Sequence, residues 1–190
     1  VVVAALLFAL VLVATITDVW RRKINNWLTY PGILTALALN AVGSLWERQS
    51  ESALLWKPRI GWVGFTESGE GLLLCGGCMV LCYACFHIGG GDVKLMAMMG
   101  AFLGVERGIE ALLWTIVLTA AVGLVVLVWR VGTFQLLARV FRQVVWSLKI
   151  GGWSPLTPDE RRQLQVPLYM APSALAALVV VFGSHRWGWF

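Results

Sequence analysis

Two aspartates carry the chemistry this chain could perform. Asp92 stands in Gly89-Gly90-Gly91-Asp92-Val93-Lys94, where an apolar run from Gly71 to Ile88 ends and another begins at Leu95. Asp18 closes the first apolar run, Val1 to Thr17. A carboxylate at the centre of a membrane helix costs about 2.5–3.5 kcal/mol, and less near the interface, so each needs a reason to be there. Two carboxyls held close in a low-dielectric site do not both ionise readily, and one keeps a proton. The ionised member can take a proton from water as it attacks an amide carbon. The protonated member can donate toward the carbonyl oxygen and then the leaving nitrogen. That is aspartic proteolysis, which requires no metal or cofactor. The plain alternative is a pair of helix-end aspartates in headgroup water. Gly89, Gly90 and Gly91 weigh against it, because they permit positive φ and the close approach of a substrate strand beside Asp92.

The neighbours of the two acids have two readings each. Lys94 either orients Asp92 or meets substrate carbonyls, or it snorkels to the interface. Thr17 bonds Asp18 or, by the commoner pattern, bonds back to its own helix. His87 tunes the pair or is an interface histidine without a special role. Cys75, Cys78, Cys82 and Cys85 form two CxxC pairs. In a soluble loop that spacing signals a metal. Here steps of three, four and three put all four sulfurs on one stripe of a single helix, which cannot wrap four ligands around zinc. Small residues packing against a neighbouring span explain them better, and Gly76 and Gly77 beside them agree.

The elements that must position these residues are membrane helices. The chain of 190 residues is 59% hydrophobic and 13% charged, against roughly 25% charged in a soluble domain. Its apolar residues come in runs of bilayer length rather than in stripes, and open strands cannot satisfy their backbone in lipid. The expected fold is an all-α polytopic bundle of about six transmembrane helices, one membrane domain over 1–190. The expected spans are 1–17, 27–45, 71–88, a short buried segment from Asp92 to Leu103, 109–129 and 166–183. Asn26 is the expected N-cap of the second. A tight turn is expected at Gly104–Gly108, and an amphipathic basic helix in a cytoplasmic loop at 130–165. The net charge of +5 sits in short loops, so it reads as a topology signal and not as a nucleic-acid surface. Six spans put Arg21, Arg22, Lys23, Lys94, Arg139 and Arg142 on one side, which the loop-charge rule makes cytoplasmic. Asp18 and Asp92 fall on that side together.

Gly89-x-Gly91-Asp92-x-Lys94 resembles the GxGDxK signature of the type IV prepilin peptidases, which are membrane aspartic proteases. The stretch from Asp18 to Leu37 is similar to the family's first motif: an Asp, basic residues, Ile24 and Asn26 of an Ile-Pro-Asn, then Leu28-Thr29. Asn25 stands where the family usually has proline. Val166 to Pro172 is similar to the proline-containing entry into its last span. The resemblance implies catalysis by Asp18 and Asp92, with Gly89, Gly91, Lys94, Asn26 and Pro172 in support. It implies cleavage of the basic leader of prepilins or pseudopilins, after a glycine, at the cytoplasmic face of a bacterial inner membrane. The zinc-binding cytoplasmic loop of the bifunctional members is missing, so the chain resembles the short, peptidase-only form. The partners it implies are the substrate helix, the bilayer and, in a homo-oligomer, a second copy. Three rival readings stand beside it. One is a protease of the presenilin or signal-peptide-peptidase kind. Another is a small ion- or proton-coupled transporter with paired membrane acids. The last is a non-catalytic pilus assembly factor.

Overall fold

The computed structural model describes residues 2–21, 25–50, 52–86, 89–131 and 170–187. Among them every element is a helix: α1 Val2–Arg21, α2 Asn26–Gln49, α3 Ser52–Ile60, α4 Phe65–Phe86, α5 Gly90–Val131 and α6 Met170–Trp187. Four stretches are long and apolar enough to cross a membrane, namely Val2–Arg21, Asn26–Gln49, Ser52–Cys85 and Gly90–Trp129; Met170–Gly183 is a shorter apolar helix. The all-helical membrane class is as expected, and the count of about six spans turns on how α5 is divided. Arg22, Lys23, Ile24, His87, the amphipathic segment at 134–148 and the first residues of the expected last span, 166–169, lie outside the described residues.

The division of α5 follows from its glycines. Gly104 has φ 79° and ψ −169°, so the helix breaks there. Eight residues along a straight helix span about 12 Å. Yet a Cβ on Gly108 would stand 3.2 Å from the Gly100 Cα. The chain therefore reverses at Gly104, and α5 is two arms, 90–103 and 105–131. The turn is tighter than Gly104–Gly108: Glu106 and Arg107 already lie on the second arm. The first arm is about 21 Å long at 1.5 Å per residue, short against about 30 Å of hydrocarbon. It compensates by being enclosed: Leu95, Met96, Met98, Met99, Ala101, Phe102 and Leu103 are all buried.

Glycines let α4 approach both arms closely. A Cβ on Gly71 would strike the Gly100 carbonyl, and one on Gly100 would strike the Gly71 carbonyl. Cys75 is buried at this crossing, with its Sγ 3.1 Å from the Cβ position of Gly108. Cys82 is half-buried against the core, while Cys78 and Cys85 are exposed. The small-residue reading of the cysteines thus holds for the Cys75 side of the stripe. Gly76 meets Ala97, but Gly77 meets nothing within 4 Å.

The segment between α2 and α4 is more helical than expected. Helix α2 runs on to Gln49, α3 follows, and α4 starts at Phe65 rather than Gly71. Buried Asn40 ties this end together. Its Nδ2 donates to the Ala36 carbonyl at 2.9 Å and the Ala101 carbonyl at 3.2 Å, and its Oδ1 accepts from the Val63 N–H at 3.0 Å. Ser68 Oγ donates to the same Ala101 carbonyl at 2.6 Å. A helix that stops at Gly104 leaves its last carbonyls without intrahelical donors, and these side chains take one of them.

The chain divides into two compact units, 1–118 with 169–190, and 119–168. The packing contacts above and the candidate site lie in the first. In the second, the described residues are the final turns of α5, with Val122, Leu124, Val125 and Trp129 exposed. Substituting Gly71→Ala or Gly100→Ala forces α4 off the first arm, and each should lower the melting temperature in detergent by the equivalent of about 1–3 kcal/mol. Gly77→Ala, which meets nothing, should leave it unchanged or raise it, since alanine is the better helix former by about 1 kcal/mol.

Candidate active site

Asp18 lies in the last turn of α1 and is 8% exposed. Its carboxylate accepts a hydrogen bond from the backbone N–H of Ala171. Ala171 is the second residue of α6, and the first N–H groups of a helix have no partner within it. A helix N-terminus is also the positive end of the backbone dipole, so a carboxylate is favoured there. The same junction is closed from α1 by Thr15, one turn before Asp18. Its Oγ1 lies 2.8 Å from the Val11 carbonyl and 3.2 Å from the Ala171 carbonyl. Ala171 thus receives α1 on both its N–H and its C=O. Thr17 bonds back to the Ala14 carbonyl at 2.9 Å and not to Asp18. Pro172 follows at the third position of α6, where its missing N–H breaks no helical bond.

Asp92 is the third residue of α5, and its N–H donates to the Gly89 carbonyl at 3.0 Å. It stands within electrostatic range of Asp18. The two acids, far apart in sequence, therefore lie at the same end of the bundle, as α1 ends where α5 begins. Asp18 Oδ2 is buried and has no hydrogen-bond partner among the described residues. The expected use of the glycines needs correcting. Among the described residues the positive-φ glycines are Gly61, Gly64 and Gly104, so Gly89, Gly90 and Gly91 are not there for left-handed backbone. Gly90 and Gly91 are in the first turn of α5. Gly89 serves by lacking a side chain: a Cβ there would stand 3.1 Å from Asp92 Oδ2. Gly90 is exposed and has open space beside it.

Lys94 neither reaches the aspartates nor hangs free. Its Nζ donates to Asn26 Oδ1 at 2.7 Å and lies 4.7 Å from the centre of the Tyr30 ring. Asn26 and Tyr30 are four apart and share a face of α2. They receive the lysine as a hydrogen-bond acceptor and as a cation–π partner. This also corrects the expected cap: Asn25 is the N-cap of α2, without a side-chain cap bond, and the Asn26 side chain is used on Lys94. The lock joins the start of α2 to the first turn of α5, two residues from Asp92. Sequence reading missed Tyr30 and Ala171. Tyr30 could have been found by its i+4 spacing from Asn26, whereas a backbone N–H has no signature in residue type. No group of three or more His, Cys, Asp or Glu that could hold a metal occurs among the described residues.

The model of the type IV leader peptidase family matches residues 5–124, which include both aspartates, Asn26 and Lys94 but not Pro172. No curated protein and no solved structure matches the chain. A double-mutant cycle on Asn26→Ala and Lys94→Met, read by chemical denaturation in detergent, should give a coupling energy of about 1 kcal/mol. Additive effects would mean that the two side chains act independently.

Proposed function

The chain belongs to the type IV leader peptidase family, and from that premise we propose that it is an aspartic endopeptidase using Asp18 and Asp92. The observation that supports this most is their position. Two acids some seventy residues apart share one end of the bundle, with one carboxylate oxygen of Asp18 buried and unpartnered among the described residues. An acid pair that shares a proton supplies a base for the attacking water and an acid for the carbonyl oxygen and leaving nitrogen. The Ala171 N–H keeps Asp18 in place, and the lock on Lys94 keeps the α5 N-terminus against α2. Pro172 supports the same junction by starting α6 beside Asp18. Gly91 supplies the turn before Asp92 without a side chain.

The substrate is the basic leader of a prepilin or pseudopilin, whose apolar stem lies in the bilayer. Open space beside Gly90 gives an extended segment a path to Asp92, and the acid pair attracts a basic leader. By the loop-charge rule this end faces the cytoplasm of a bacterial inner membrane. A transporter built on paired acids would move ions and leave the leader uncut.

The test is co-expression with a tagged prepilin. Asp18→Asn and Asp92→Asn should each abolish leader removal while the protein stays in the membrane. Wild type that leaves the leader on, or an Asn variant that still removes it, ends the aspartic reading. Gly89→Ala, whose Cβ would push Asp92 Oδ2 by a few tenths of an ångström, should lower turnover, whereas Gly90→Ala should not. A chelator should leave cleavage in purified protein unchanged.

A further inference from the structure

Two clefts adjoin at the end of the bundle away from Asp18 and Asp92. One, of about 240 Å³, is walled by Val3, Ala4 and Leu7 of α1, Phe102 and Leu103 of α5, and Phe182 of α6. Its side chains are apolar apart from Arg107. The other, of about 320 Å³, is lined by Lys57, Trp62, Glu67, Glu106 and Arg107. Arg107 borders both, as do Gly61, Val63 and Leu103.

The charges of the second cleft sort unevenly. Lys57 is tied to Glu47 at 2.8 Å. That leaves Arg107, Glu67 and Glu106, all exposed, and none of the three has an ion pair among the described residues. Glu67 leans over the turn, its Oε2 3.5 Å from the Cβ position of Gly104. A simple anion would meet two carboxylates there. A simple cation would leave the arginine and the apolar slot unused. A ligand that satisfies all of it has an apolar chain, then a phosphate, then a cationic amine. We propose that the paired clefts bind a phosphatidylethanolamine. One acyl chain fills the apolar slot and the phosphate meets Arg107, whose planar fork suits phosphate oxygens. The ammonium lies toward Glu67 and Glu106. The order of the lining along the two clefts is the order of groups along the lipid. Trp46 and Trp62, tilted at 34° with ring centroids 5.9 Å apart, mark this end as headgroup depth.

The proposal is independent of peptidase activity and is tested without it. The full chain, purified in mild detergent, is offered phosphatidylethanolamine, phosphatidylglycerol and phosphatidylcholine at equal mole fraction. Retained lipid is then read by mass spectrometry of the intact complex. Phosphatidylethanolamine should be retained about tenfold over the other two. One lacks an amine, and the amine of the other has no N–H to donate. Arg107→Ala should weaken retention of phosphatidylethanolamine and phosphatidylglycerol alike by about tenfold, the loss of one charge-assisted hydrogen bond. Arg107→Lys, which keeps the charge without the fork, should fall between and serves if the alanine variant does not purify. Glu67→Gln with Glu106→Gln should bring the ratio of phosphatidylethanolamine to phosphatidylglycerol toward one. Equal retention of the three lipids, a co-purifying protein in place of lipid, no lipid at all, or variants that bind as wild type would overturn it.

Discussion

A carboxylate cannot be buried among apolar helices unless something donates to it. Asp18 meets that demand with the N-terminus of α6, through the Ala171 N–H. Much else follows from this contact. It brings residues 18 and 171 together, and so requires α1 and α6 to pack along their length, as Val3, Leu7, Val11 and Ala14 do against Ala174, Leu178 and Val181 in one core. It satisfies one side of the carboxyl group and leaves Oδ2 without a partner among the described residues. An acid satisfied on every side would be a structural residue. One that is anchored and keeps an oxygen unpartnered among the described residues has the arrangement that the proposed catalytic role calls for.

Asp92 is held in a different way. It does not lie in the middle of a helix but in the first turn of a short arm whose remaining residues are enclosed. Three of the arm's buried side chains are methionines, Met96, Met98 and Met99. Unbranched and adaptable, they fill the irregular space between helices of unequal length, and Met98 fits the notch left by Gly32. The arm is fastened at both ends. Lys94 is held by Asn26 and Tyr30 near Asp92. At the far end, the carbonyl of Ala101 is taken by Asn40 and Ser68. Fastening both ends of a segment too short for the bilayer sets the height of its first turn, and with it the height of Asp92 relative to Asp18.

Much of this was legible in the residues. The apolar runs announced membrane helices because a bilayer demands length and apolarity, which are local properties. The short segment from Asp92 to Leu103 was readable as buried for the same reason, and the cysteine stripe as packing because its spacing is helical. The helical region at 52–60, the early start of α4 at Phe65 and the capping by Asn25 were not legible. The first two accompany Trp62 entering the Gly43 notch and Val63 and Phe65 finding Asn40 and Ser44, partners roughly twenty residues away; at the cap, the Asn26 side chain is taken by Lys94, 68 residues on.

The order of residues alone determined which groups could do chemistry: two aspartates at span boundaries, glycines before one of them, and a lysine two positions after it. Tertiary structure decided what each of them touches. It gave Lys94 to Asn26 and Tyr30 and gave Asp18 to a backbone N–H. It turned the glycines from sources of unusual backbone into space beside a carboxylate. The reason is physical: hydropathy and helical period act along the chain, whereas a hydrogen-bond partner is chosen among all the groups that folding brings within 3 Å.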